Sequence, residues 1–219
     1  MKKTKKKSIE EEKKIEGYIR KKEDWQLLWV LGVIVLIFVL FFGTYFIVQK
    51  MNRFEYAGVN WVIENHGGTK FYHGRFIAFR NPQLTHNLYL RNDPKENDVS
   101  FSGNFTYFGK DFFLSFSPEV DECRGDVPVA TVTLASFLKS GVGVENLEPS
   151  TTDPQVHYST GKNFADCNSI GGGIVIEIGE SSVIQSEKNP YCYVISIENC
   201  TDIKPIEKFM IETLRAIKG

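Results

Sequence analysis

The chain has 219 residues, with 26 Lys or Arg against 27 Asp or Glu, 4 His and 4 Cys. The near-neutral total conceals an asymmetry: residues 1–24 hold ten Lys or Arg against six Asp or Glu, and everything from Gln49 onward holds sixteen against twenty-one. A mildly acidic main portion with no basic stripe interleaved with aromatics argues against a nucleic-acid partner, and its size suits one domain with a real core.

Residues 1–24 alternate in sign and read as a basic cytoplasmic tail, disordered or a frayed extension of the helix that follows. Residues 27–48, with Trp25 at one margin and Tyr45 near the other, contain no charged residue and no histidine. As a helix this run is roughly 33 Å long, the thickness of a bilayer's hydrocarbon core, so residues 25–48 are read as a transmembrane signal anchor. The run exceeds the h-region of a cleaved signal peptide, and no small-x-small cleavage site follows it. A basic tail before the run and an acidic domain after it predict a cytoplasmic N-terminus and an extracytoplasmic domain over 49–219, although Lys50 and Arg53 oppose that assignment. The lipid bilayer is the first partner implied. Gly32 and Gly43 share a helix face, a weak sign of a partner helix.

After Gln49 the pattern turns to short β-rich pieces. Residues 59–64, 71–80 and 88–91 read as strands separated by Gly67-Gly68 and Asn81-Pro82. Residues 104–108 and 112–116 read as a hairpin around Gly109-Lys110, with their aromatics as core and cross-strand packing. A helix is predicted from Asp126, its cap, through Pro128 in the first turn to about Lys139, with Leu134, Phe137 and Leu138 as its stripe and Gly141 as its stop. A strand over 142–147 follows, then a loop over 148–161 in which residues 155–158 could pair briefly.

Residues 174–178, 182–186 and 191–197 read as a three-strand meander, preceded by a flexible turn at Gly171-Gly172-Gly173. The last helix begins near Ile203 with Asp202 as cap, Pro205 in its first turn and a stripe of Ile206, Phe209, Met210, Leu214 and Ile217 that belongs against a sheet. The four cysteines all follow the apolar run. In an oxidising compartment they fit two disulfides with three connectivities open, and buried free thiols are the alternative. A straight strand over 191–197 separates Cys192 from Cys200 by about 26 Å, beyond disulfide reach. An up-down-up course brings Cys167 to the end where Cys192 lies and leaves Cys200 at the other, so the predicted pairs are Cys167 with Cys192 and Cys123 with Cys200.

No residue set has the spacing of a known chemistry. His66, His73, His86 and His157 include no HExxH or i,i+4 pair, although His66 and His73 could approach across the Gly67-Gly68 turn, and no CxxC knuckle occurs. The acidic stretch 93–98 lacks EF-hand spacing. Asp111, Glu119, Asp121 and Glu177 are available carboxylates without a recognisable pairing. Neither catalytic nor metal-binding residues are assigned, and no cofactor is implied. Arg124-Gly125-Asp126 matches an adhesion tripeptide beside Cys123, while Asn104 and Asn199 head N-glycosylation acceptor sequences.

The sequence therefore predicts an α+β protein: one N-terminal transmembrane helix, then a mainly antiparallel β-sheet domain with about two packed helices. The favoured function is a non-enzymatic, membrane-anchored binding or accessory subunit at the outer face of the membrane, close enough to it to touch another membrane or surface protein. A membrane-anchored hydrolase or thiol-dependent enzyme and a cell-surface adhesion protein are the alternatives.

Overall fold

The computed structural model describes residue 25 and residues 28–48, 50–105, 109–169 and 171–218. The basic tail over 1–24, and the residues 106–108 expected in a hairpin strand, lie outside them. The chain forms two compact units, Met1–Met51 and Asn52–Gly219.

In the first unit Leu28–Val48 is a helix (α1) of 21 residues, long and apolar enough to cross a membrane. Its apolar side chains are exposed along its length. The Thr44 hydroxyl donates to the carbonyls of Leu40 and Phe41, both at 2.9 Å, so this polar side chain is satisfied within the helix.

The second unit opens with an antiparallel sheet in sequence order: β1 (Arg53–Tyr56), β2 (Val59–His66), β3 (Thr69–Ile77) and β4 (Thr85–Leu90). Its first two turns are two-residue connections, Ala57-Gly58 and Gly67-Gly68, with all four residues at positive φ. That geometry matches the twist of the flanking strands. Trp61, fully buried, lies across Gly74 on the paired strand, where a Cβ would sit 2.8 Å from the indole. β3 ends at Ile77 rather than Arg80, because Ala78 and Phe79 donate instead to Leu84 and Gly141.

The second sheet corrects the expectation of a mainly antiparallel domain. Its strands are β5 (Ser100–Ser102), β6 (Asp111–Phe116), β7 (Asn146–Thr151), β8 (Asn163–Phe164), β9 (Gly172–Ile178), β10 (Ser182–Gln185) and β11 (Cys192–Ile197), in the order β5-β10-β11-β9-β6-β7-β8. Within it β10 and β11 pair antiparallel and every other pairing is parallel. β6 has β7 on one side and β9 on the other, which rules out the hairpin over 104–116. The meander is also corrected, since β11 lies between β9 and β10. The near-continuous apolar runs of β6, β9 and β11 are those of parallel strands covered on both faces. Gly172 and Gly173 belong to β9 rather than to a turn: the Phe112 ring would lie 2.9 Å from a Cβ at Gly172, and the Phe113 ring occupies the place of one at Gly173.

Helices α2 (Pro118–Asp121) and α3 (Asp126–Ser136) follow β6, α4 (Pro154–Thr160) follows β7, and α5 (Lys204–Lys218) closes the chain. α3 runs into a π-helical turn, Phe137–Val142, that ends at Gly143 in the left-handed region (φ 90°). Gly141 is thus inside the helical stretch rather than its stop, and the next strand begins at Asn146 instead of residue 142. Gly125, not Asp126, is the α3 N-cap. The segment expected to be loop over 148–161 contains the end of β7 and then α4, capped by Asp153, whose side chain accepts from the Gln155 amide at 2.7 Å.

One core joins both sheets to α3 and α5, with Trp61, Leu90, Leu134, Ile174, Ile195 and Phe209 at its centre. The stripe of α5 is buried from Ile206 to Leu214 as its spacing predicts, with Ile211 buried beside it, and Ile217 is half-buried at its end. A smaller cluster of Phe113, Ala165, Val175 and Cys192 covers the other face of the second sheet. The Ser115 hydroxyl ties it down by donating to the Ala165 carbonyl at 2.7 Å.

Disulfides join Cys123 to Cys200 and Cys167 to Cys192. β9 and β11 start side by side, Gly173 opposite Cys192, so the segment carrying Cys167 arrives where Cys192 sits. Strand direction alone decides this. The pairs follow from the alternation of direction even though the neighbours within the sheet differ from a meander.

Candidate functional site

α5 and α3 present different outer surfaces. α5 carries charged residues where it meets solvent, whereas α3 (DVPVATVTLAS) has no charged side chain after Asp126. Ala130 and Leu134 face the core; Val129 and Val132 point away from it, 55 % and 70 % exposed. A hollow lies on each side of this ridge. One, of about 280 Å³, is lined by Leu114, Phe116, Ala135, Leu147 and Pro149, with Lys139 at its border. The other, of about 190 Å³, lies among Phe71, Tyr89, Val129, Ile203 and Met210. Each is below the roughly 300 Å³ at which small-molecule pockets begin, and each exceeds the roughly 150 Å³ of an apolar cavity that holds a benzene ring. They are of a size to take single side chains.

The smaller hollow has polar groups at its wall. Glu207, 3 % exposed, accepts the Arg91 amide at 2.6 Å and the Asn92 amide and Nδ2 at 3.1 and 2.8 Å. Burial pushes its carboxyl up to about 7, against the opposing pull of those donors and of the Arg91 charge. The Arg91 guanidinium is ion-paired to Asp126. Further along, Asn97 Nδ2 donates to the Lys204 carbonyl at 2.9 Å and Lys208 Nζ to the Asn97 carbonyl at 3.2 Å. The segment leaving β4 is thus fastened to the first turns of α5.

Arg124 and Gly125 of the tripeptide are exposed, but Asp126 is half-buried as the first residue of α3 and is engaged by Arg91. Each of the four cysteines is in a disulfide, which leaves none as a thiolate nucleophile.

His66 and His73 do come together, through Glu64. His73 Nδ1 lies 2.8 Å from Glu64 Oε1 and His66 Nε2 lies 3.0 Å from Oε2, so the two imidazoles hold that carboxyl below the usual carboxylate range. His73 is buried, stacks on Tyr89 at 4.3 Å between ring centres, and has Nε2 3.0 Å from Asn87 Oδ1. His86 sits between Phe76 and Phe137, where burial lowers its pKa. His157 is in α4 with Nδ1 at 2.5 Å from the Lys162 carbonyl. Among the described residues no group of three or more His, Cys, Asp or Glu is arranged to hold a metal ion.

The available carboxylates are dispersed: Asp111 accepts from Asn146, Asp121 from Lys162, and Glu177 from Ser196. Asn199 is exposed, with Oδ1 accepting from the Thr201 amide and hydroxyl at 2.9 and 2.6 Å. Asn104 is exposed beside Gln185, which accepts its amide at 2.8 Å; Thr106 of that acceptor sequence lies outside the described residues.

Sequence reasoning did not single out Val129, Val132, Arg91 or Glu207. The first two had a signal, the missing charge between Asp126 and Lys139. The Arg91–Glu207 bond, spanning 116 positions, had none.

No family model, curated protein or solved structure matches the chain.

Proposed function

We propose that this chain is a membrane-anchored binding or accessory subunit, non-enzymatic, with a cytoplasmic N-terminus and its folded domain at the outer face of the membrane. The observation that carries the binding reading is the uncharged ridge of α3 between two hollows of side-chain size. Exposed apolar surface of this kind, bounded by charged residues, is the anatomy of a protein contact. The anchored location is supported by α1 and by two disulfides in the domain that follows it, since such bonds persist in oxidising compartments.

The test is alkaline extraction of membranes from cells expressing the chain, with protease added to the intact cells. The anchored reading expects the full-length chain in the pellet, the domain digested from outside and an N-terminal tag protected. A shortened chain in the supernatant would mean that α1 is a cleaved signal, and protection of the domain would reverse the orientation.

A further inference from the structure

Resting on the outward orientation of the domain, the structure assigns Asn199 as an acceptor for an N-linked glycan, transferred on the exported side of the membrane from an oligosaccharide carried on a polyisoprenoid phosphate. The acceptor sequence is Asn199-Cys200-Thr201. It occupies the turn between β11 and α5, where the Asp202 amide donates to the Asn199 carbonyl at 3.0 Å.

The turn divides its side chains by role. Cys200 is half-buried, packs against the main core and is bridged to Cys123, whereas Glu198, Asn199 and Thr201 are exposed. Asp202 is committed to Ser181, Glu198 and Lys204. The Asn199 carboxamide has a fixed sense, because the Thr201 amide can only donate and so must face an oxygen. Oδ1 takes that amide at 2.9 Å and the Thr201 hydroxyl at 2.6 Å, and among the described residues none bonds Nδ2. The nitrogen is the end of the side chain turned to solvent, where a bulky hydrophilic group displaces no packing.

Transfer asks a carboxamide, a weak nucleophile, to give up a proton. Nδ2 attacks the anomeric carbon of the donor; the carbon–nitrogen bond forms as the bond from that carbon to the phosphate oxygen breaks. Nδ2 releases one proton, and the lipid phosphate leaves with the electron pair. Two hydrogen bonds into Oδ1 draw electron density onto the oxygen and ease that proton loss. One of them comes from the hydroxyl at the position where acceptor sequences require Ser or Thr. Both link residues two positions apart, so the arrangement needs neither the finished fold nor the closed disulfide.

The other acceptor sequence is held differently. The Asn104 amide donates to Gln185 at 2.8 Å, its carbonyl accepts the Tyr193 hydroxyl at 3.0 Å, and Phe105 stacks on Tyr193. Contacts with distant strands fix that segment, whereas Asn199 is arranged by its own turn.

The test expresses the full-length chain in cells whose secretory membranes attach glycans at Asn-X-Ser/Thr, with orientation read by protease on the same membranes. The chain should run as a larger species that an N-glycan-removing amidase collapses, and the carboxylate left at position 199 marks the site by peptide mass. Asn199→Gln and Thr201→Ala should each abolish glycan at this site, while Thr201→Ser and Asn104→Gln should retain it. Unchanged mobility without reductant after deglycosylation shows that the variants keep both disulfides. An outward domain with Asn199 unmodified, or a glycan on Asn104 alone, overturns the assignment and leaves the anchored reading standing. A domain protected on the cytoplasmic side removes both.

Discussion

Asn92 donates twice to the same oxygen of Glu207, from its backbone amide at 3.1 Å and from Nδ2 at 2.8 Å, and so fixes the end of β4 to the start of α5. The carboxyl that receives these bonds is buried, with its pKa raised to about 7. Because the folded value lies above the unfolded one, the native state retains a proton that the unfolded chain releases. The contribution is complete below about pH 4.5 and is lost as pH rises through 7. The swing is about 3 kcal/mol at 1.36 kcal/mol per pH unit. Urea midpoints should therefore fall between pH 5 and 8, and Glu207→Gln should flatten that slope whatever it does to the absolute midpoint. Glu64, lowered by its histidines, acts in the opposite sense and at more acid pH. An unchanged slope in the variant would show that Glu207 is ionised in the folded state across this range.

The two disulfides close loops of different length, with sequence separations of 77 for Cys123–Cys200 and 25 for Cys167–Cys192. Chain entropy assigns them about 4.5 and about 3.5 kcal/mol. The double variant Cys123→Ser/Cys200→Ser should thus unfold at lower urea than Cys167→Ser/Cys192→Ser, by a margin of about 1 kcal/mol. The reverse order would mean that the cluster of Phe113, Ala165 and Val175 around Cys192 matters more than loop closure.

The features legible in the sequence are those fixed by neighbours in the chain. The Gly67-Gly68 turn, the apolar run of α1 and the stripe of α5 each depend on residues within a few positions of one another. The disulfide pairs were legible for a related reason, because β9, β10 and β11 alternate in direction whatever their order within the sheet. That order was not legible: β11 inserts between β9 and β10, and β6 takes two parallel neighbours, through connections whose course no local pattern dictates. The π-helical turn displaced the next strand by four positions. At the candidate site, the missing charge on α3 was visible as composition, but the hollows beside it require β4, β7 and α5 to be in place.

Phe113 lies over Gly173 on the paired strand, leaving no room for a methyl group there. The glycine is required by this close approach, since its backbone is not in the left-handed region. Gly173→Ala should destabilise the domain by about 1–3 kcal/mol, the usual cost of overpacking. Phe113→Leu should recover part of that loss in the double variant, read from urea midpoints. Additive losses would place the strain elsewhere than in this ring contact.

Asp202 performs three tasks at the entrance to α5. Its Oδ1 accepts the Lys204 amide at 3.3 Å, an N-terminal donor that the helix itself cannot satisfy. Its Oδ2 accepts the Glu198 amide at 3.1 Å and the Ser181 hydroxyl at 2.9 Å, which ties the turn after β11 and the turn before β10 to the same carboxylate. Asp202→Ala removes all three bonds and the negative charge at the positive end of the helix dipole, so the expected loss is about 2 kcal/mol, the upper end for a helix cap. Asp202→Asn keeps one acceptor oxygen and turns a donor toward the remaining partners, and should fall between the wild type and the alanine variant. Urea unfolding followed by circular dichroism ranks the three. If asparagine and alanine unfold together, the charge rather than the hydrogen bonding holds the α5 entrance.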